Sequence, residues 1–170
     1  MRDLVDFLGH ALDDLRLPDG DAAIHAGVDM VELDEFGRIL AMGGEEFLAT
    51  VYTAREREHC DGRLERLATR FAAKEAASKA LGTGLRDIGL LEIEVVSEAN
   101  GRPHLEFHGR ALDRARQLGI TSMAVSLTDT QRAALAFVVA LAAPANTTEP
   151  SLHCERRANC DRTKAFPSGR

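Results

Sequence analysis

Leu4, Phe7, Leu8, Ala11, Leu12 and Leu15 recur at the three- and four-residue intervals of a helix, with Asp6, His10, Asp13 and Asp14 elsewhere on the wheel. The pattern predicts an amphipathic helix over 3–15, ended by Pro18-Asp19-Gly20. Ile24 to Val31 then forms an apolar run of strand length, broken by the single acid Asp29. Helical spacing returns through Phe36, Ile39 and Leu40 and, past Gly43-Gly44, through Phe47 and Leu48. Thr53 with Glu56 three positions on has the form of a capping box opening another helix. The longest helical segment covers 64–81, with Leu64, Leu67 and Phe71 as its predicted buried face and Gly82 and Gly84 as its stop.

After Ile88 the period becomes two. Leu91, Ile93 and Val95 alternate with Glu92 and Glu94 as far as Val96, and Asn100-Gly101 is the favoured two-residue turn for reversing into Pro103 to Phe107. Gly109 to Leu118 reads as helix, and Met123 to Leu127 and Ala133 to Leu141 as two closing strands, the last alanine-rich enough to be confused with a helix. This irregular mixture predicts an α+β fold rather than a wound parallel sheet. From Pro144 onward polar residues replace the pattern and predict disorder. The chain thus divides into an N-terminal helical extension (1–22), one domain (23–143) and a tail (144–170).

Composition narrows the function classes. At 170 residues and 45% hydrophobic, without tryptophan, the chain can build a core of Leu, Val, Ile and Ala. A net charge of −6 and the lack of a basic stripe argue against a nucleic-acid partner. No apolar run reaches the ~20 residues that span a bilayer, and Asp3 and Asp6 stand where a signal peptide would be basic, so the expectation is a cytoplasmic protein with no membrane partner. Cys60, Cys154 and Cys160 do not describe a disulfide framework, and His153, Cys154 and Cys160 lack a fourth zinc ligand at the usual spacing.

The candidate chemistry lies in Arg70 to Gly84, RFAAKEAASKALGTG. Glu75 and Lys79, four apart, share one helix face, with Lys74 beside them and Arg70 a turn earlier. A carboxylate among cations suits a metal-bound phosphate, the oxygen ligand holding a hard divalent ion while lysines meet the remaining phosphate oxygens. On its own, such a Glu–Lys pair is commonplace on solvated helices and contributes only about 0.3–0.5 kcal/mol. Asp29 adds weight, because a charge within a buried strand is costly unless a cation or positive partner meets it.

GVDMVEL (27–33) followed by RFAAKEAASKALGTG, then Asn100-Gly101-Arg102-Pro103 and Val125-Ser126-Leu127-Thr128-Asp129, resembles the holo-[acyl-carrier-protein] synthase family of small 4′-phosphopantetheinyl transferases, from about Ile24 to Ala142. The resemblance implies an antiparallel sheet packed with a long helix, in a trimer whose pockets lie between subunits, with Asp29 and Glu75 on facing surfaces. It implies transfer of 4′-phosphopantetheine from coenzyme A to a serine of an apo acyl carrier protein, releasing adenosine 3′,5′-bisphosphate. Asp29 and Glu75 would hold Mg2+. Lys79, Lys74 and Arg70 would meet phosphates, Gly82-Thr83-Gly84 would let the backbone approach the nucleotide, and Asn100 and Pro103 would border its pocket. Asp129 stands where many relatives have histidine; it could accept the serine proton directly or through a water, with Glu75 or a metal-bound water as competing base.

One stretch departs from the family pattern. The helix after Asp29 usually carries arginines for an acidic carrier, but here Glu32, Asp34, Glu35, Glu45 and Glu46 accompany a single base, Arg38. Like charges would weaken docking. Docking through Arg55, Arg57, Arg63 and Arg66, a less acidic carrier, and a merely solvated face all remain open readings. A non-catalytic carrier-binding subunit is the alternative of another class; Asp29, Glu75 and Lys79 speak against it. A different nucleotide enzyme would need a GxxxxGK[ST] or GxGxxG loop, and neither occurs.

Overall fold

Alanine-rich elements pack backbone close to backbone, because no long side chain holds them apart. The computed structural model describes residues 22–85 and 87–143. The helix predicted over 3–15 and the tail from Pro144, with His153, Cys154 and Cys160, lie outside the described residues. In chain order the elements are β1 (Ala23–Glu32), α1 (Leu33–Val51), α2 (Ala54–Cys60), α3 (Leu64–Ala80), a 3-10 turn (Leu90–Glu92), β2 (Ile93–Ser97), β3 (Pro103–Phe107), α4 (Gly109–Gln117), β4 (Ile120–Asp129) and β5 (Ala133–Ala142). The fold is α+β and its sheets are antiparallel: β1-β5-β4 form one and the β2–β3 hairpin the other.

The alanine-rich segment near the C-terminal end of the domain is the central strand, not a helix, because every second residue is needed as a small contact. Ala134, Ala136, Val138, Ala140 and Ala142 of β5 are buried, and α3 lies across β5 and β1. On α3 the buried surface runs through Leu67, Ala68, Ala72, Ala73, Ala76, Ala77 and Ala80. The predicted face of Leu64, Leu67 and Phe71 is only one edge of it, packed toward Phe36, Tyr52 and Val51. The approach is closest at Gly27 of β1, where a Cβ would fall 1.9 Å from the Ala76 carbonyl oxygen and 2.9 Å from the Ala80 nitrogen.

Three local expectations are met and three are corrected. Thr53 and Glu56 form the full capping box of α2, α3 stops at Gly82 in left-handed geometry with φ of 66°, and α1 is interrupted at Gly44 with φ of 51°. By contrast, the strand expected from Ile88 begins only at Ile93, after the 3-10 turn. Its alternation is also lost: Leu91, ahead of the strand, is 43% exposed, whereas Glu94 is buried along with Ile93, Val95 and Val96, because Thr53 Oγ1 donates to Glu94 Oε1 at 2.7 Å and supplies the polar partner that burial demands. The reversal at Asn100 is a five-residue loop, 98–102, not a two-residue turn; there only Gly101 takes positive φ, at 84°, and Asn100 Oδ1 accepts from the Arg102 N–H at 2.8 Å.

The face of the three-stranded sheet turned away from α3 is apolar and open. Val28 pairs in register with Phe137, and Met30 with Leu135. Ile24, Val28, Met30 and Phe137 are 41%, 52%, 58% and 41% exposed.

Candidate active site

Gly27 and Ala76, the pair in closest approach, immediately flank the ionisable residues singled out by the sequence. Asp29 is two residues beyond Gly27 and so on the same face of β1, and Glu75 directly precedes Ala76. One turn further along α3, Lys79 Nζ donates to Asp29 Oδ1 at 2.8 Å and to the Val28 carbonyl at 3.0 Å. Lys79 is thus the positive partner that a charge on this strand requires. Burial, and then the neighbouring Asp29 carboxylate, push the Glu75 carboxyl above its ordinary value, with Lys79 acting in the opposite sense.

This corrects one expectation. Asp29 and Glu75 do not lie on facing surfaces that need two subunits; a single chain brings them together, because the glycine lets β1 settle on α3.

The two carboxylates open into a cleft of about 430 Å³. Phe36, Phe47 and Phe71 line it, with the Phe36 and Phe71 rings 5.5 Å apart between centroids, and Glu32 and Glu35 add two further acids. Asp29 and Glu75 beside the Lys79 ammonium and an apolar aromatic wall offer oxygen donors that fit a hard divalent cation such as Mg2+. Sequence reasoning took Glu32 and Glu35 only as docking charges and missed the aromatic wall. The opening of α1, with Glu35 and Phe36, directly after the strand that carries Asp29 was the available signal.

The other predicted residues fall elsewhere. Lys74 does not face the cleft, which corrects its assignment to phosphate. It is fully buried, and its three donors are taken by Glu56 Oε2 at 2.8 Å, the Leu90 carbonyl at 2.9 Å and the Ile93 carbonyl at 2.5 Å. Burial lowers its pKa, and the Glu56 carboxylate opposes that shift. Arg70 is 7% exposed and donates to Ser97 Oγ at 3.0 Å, beside the hairpin loop that carries Asn100 and leads into Pro103. It lies nine residues, about 13 Å along the helix, from Lys79. Gly82, Thr83 and Gly84 close the other end of α3, where the Gly82 and Thr83 N–H groups bond back to the Lys79 and Ser78 carbonyls. Asp129 is exposed at the end of β4. With β5 intervening, that strand is about 10 Å from β1.

A long helix laid on a three-stranded antiparallel sheet, with two carboxylates and a lysine meeting where strand and helix touch, has the chemistry of a phosphate-handling transferase. Residues 25–138 match the 4′-phosphopantetheinyl transferase superfamily, and the chain belongs to it. Its relatives there are holo-[acyl-carrier-protein] synthases. The one from Chloroflexus aurantiacus is 44% identical over 135 residues, covering 70% of this chain and 98% of the relative. The solved holo-[acyl-carrier-protein] synthase of Neisseria meningitidis superposes with a TM-score of 0.62 at 35% identity, covering 68% of this chain and 96% of that one. That of Bacillus anthracis, solved in complex with CoA (3′,5′-ADP), superposes with a TM-score of 0.58 at 31% identity, covering 71% and 100%.

Proposed function

We propose that this chain transfers 4′-phosphopantetheine from coenzyme A to a serine of an apo acyl carrier protein, with Mg2+ held by Asp29 and Glu75. The observation that carries the reading is the convergence of Asp29, Glu75 and Lys79 on one cleft. Bound there, Mg2+ would neutralise diphosphate oxygens and withdraw charge from the departing phosphate. The serine oxygen attacks phosphorus of the diphosphate, the bond to the nucleotide phosphate breaks, and adenosine 3′,5′-bisphosphate leaves. Lys79 meets the phosphate oxygens and stabilises the charge that develops on the leaving group. The serine proton passes to a water at the site, because Glu75, as a ligand of the cation, has its oxygens committed elsewhere. Aromatic groups beside the carboxylates exclude water and strengthen each of these interactions.

The working form is a homotrimer closed over the apolar sheet face. A contiguous exposed patch of Ile24, Val28, Met30 and Phe137 supports burial against another copy. A neighbouring copy would also give Asp129, Asn100 and Pro103 a route to a shared nucleotide pocket, whereas the Gly82–Gly84 turn follows directly on Lys79. The carrier docks along α1, where Met42 is 82% exposed beside Arg38 and Ile39. Three of the four alternative bases are engaged: Arg57 pairs with Glu45, Arg55 with Glu106, and Arg66 donates to the His59 carbonyl. Among the described residues no helix is long and apolar enough to cross a membrane, and a cytoplasmic location fits the substrates of this reaction.

Mass spectrometry of candidate apo carriers incubated with the chain, coenzyme A and Mg2+ tests the reading. A gain of one phosphopantetheine by wild type, lost in Asp29→Ala and on chelation, supports it. A carrier that binds the chain but gains no mass refutes transfer.

A further inference from the structure

The β2–β3 hairpin carries a second group of ligating side chains, none of which lines the Asp29 cleft. Alternation along β3 puts His104 and Glu106 on one face, His108 follows in extended geometry just past the strand's end, and the strand register sets Glu94 directly opposite Glu106. Glu94, Glu106 and His108 each offer a ligand atom, and all three atoms lie within 4.8 Å of one another. His108 Nε2 is 3.2 Å from Glu94 Oε2. Two ligands bound at ~2.1 Å to a tetrahedral ion stand about 3.4 Å apart, so one edge of such a polyhedron is already formed.

The opposition of two carboxylates in one strand pair points to a cation there. Like charges directly opposite on paired strands are destabilising, and Glu94 is 7% exposed, so solvent does little to relieve its repulsion with Glu106. The one nearby guanidinium, Arg55, is 3.4 Å from Glu106 Oε2 and itself 58% exposed. Thr53 Oγ1 holds Glu94 Oε1 and so aims Oε2 at His108, the orienting role that outer groups play around metals.

We infer that Glu94, Glu106 and His108 form a second divalent-cation site of the borderline transition-metal class, filled by Zn2+ rather than Mg2+. An imidazole beside two carboxylates selects that class, whereas Mg2+ takes oxygen ligands alone. The ion clamps β2 to β3 and, through Thr53, to the start of α2. A two-stranded hairpin is marginally stable by itself, so the clamp is structural.

The test uses the full chain with Cys154→Ser and Cys160→Ser, which removes the thiols of the C-terminal segment. Zn2+ and Mg2+ are titrated by calorimetry and thermal shift, and Co2+ is used as a visible probe of imidazole ligation. One equivalent of Zn2+ raises Tm, and His108→Ala and Glu106→Gln each weaken its binding by at least about ten- to hundredfold. Both side chains are substantially exposed, so these variants fold, and their carrier modification is retained. Asp29→Ala leaves Zn2+ binding intact and loses that of Mg2+. Equal Zn2+ affinity in wild type and both hairpin variants, or no Tm shift at a tenfold molar excess of Zn2+, overturns the assignment.

Discussion

Gly27→Ala adds one methyl group and tests whether the contact between β1 and α3 sets the geometry of the active site. The new Cβ would lie 1.9 Å from the Ala76 carbonyl oxygen, a backbone atom that cannot rotate away. Restoring an ordinary carbon–oxygen contact near 3.3 Å requires strand and helix to part by about 1.4 Å. Asp29 would travel with the strand and Glu75 with the helix. A misplacement of about 1 Å can cost 10²-fold in rate, so turnover should fall at least about a hundredfold although no ligand or charge has been touched. Overpacking costs about 1–3 kcal/mol, and Tm should drop by roughly 3–10 °C. Gly37→Ala is the internal control, because its Cβ would meet only the Leu64 methyl carbons at 3.6 and 3.8 Å; a gain of helix propensity of up to about 1 kcal/mol should leave Tm equal or higher and activity intact. The assay is carrier modification followed by mass spectrometry, with Tm measured on the same samples. A Gly27→Ala chain with more than half the wild-type turnover and an unchanged Tm would refute the reasoning.

Four further outcomes are expected. Mixing Asp29→Ala with Glu75→Ala chains should restore no activity, since both carboxylates act within one chain; recovery on mixing would show that they act across subunits. Mg2+ binding should tighten as pH rises from 4.5: the raised Glu75 carboxyl stabilises the fold below 4.5, that contribution is lost as pH climbs through the raised value, and the ion takes only the ionised form, so calorimetry in buffers of different ionisation enthalpy should detect proton release. Lys74→Met should cost about 3–5 kcal/mol by leaving Glu56 buried without its cation, seen as a large fall in the urea midpoint. Modification of a strongly acidic carrier should speed up with moderate salt, as screening relieves repulsion from Glu35 and Glu46; rates that only fall with salt would assign docking to the basic residues.

Local chemistry was legible in the sequence wherever one residue type determines the geometry. Thr53 with Glu56 could only cap a helix, Gly82 could only end one, and four-residue spacing put Glu75 and Lys79 on one side. What alternation could not reveal was where the protein itself supplies a polar partner. Glu94 reads as solvent-facing until Thr53 is placed against it, forty-one residues away in sequence. Lys74 and Glu75 are adjacent and both charged, yet one is an interior anchor and the other a cleft residue. The alanine run of α3 registers as helix propensity, whereas its physical use is to let a sheet approach within backbone contact.

The Lys74–Glu56 pair has a consequence for the order in which the molecule comes apart. Glu56 closes the capping box at Thr53, accepts the Val95 N–H at 2.9 Å and holds Lys74, whose remaining donors go to Leu90 and Ile93. One carboxylate therefore joins the start of α2, the middle of α3 and the first residues of β2. No one of these segments can open without exposing the same buried charge to the others, so their amides should exchange with solvent as one cooperative unit and at a higher opening free energy than those of α1 beyond Gly44.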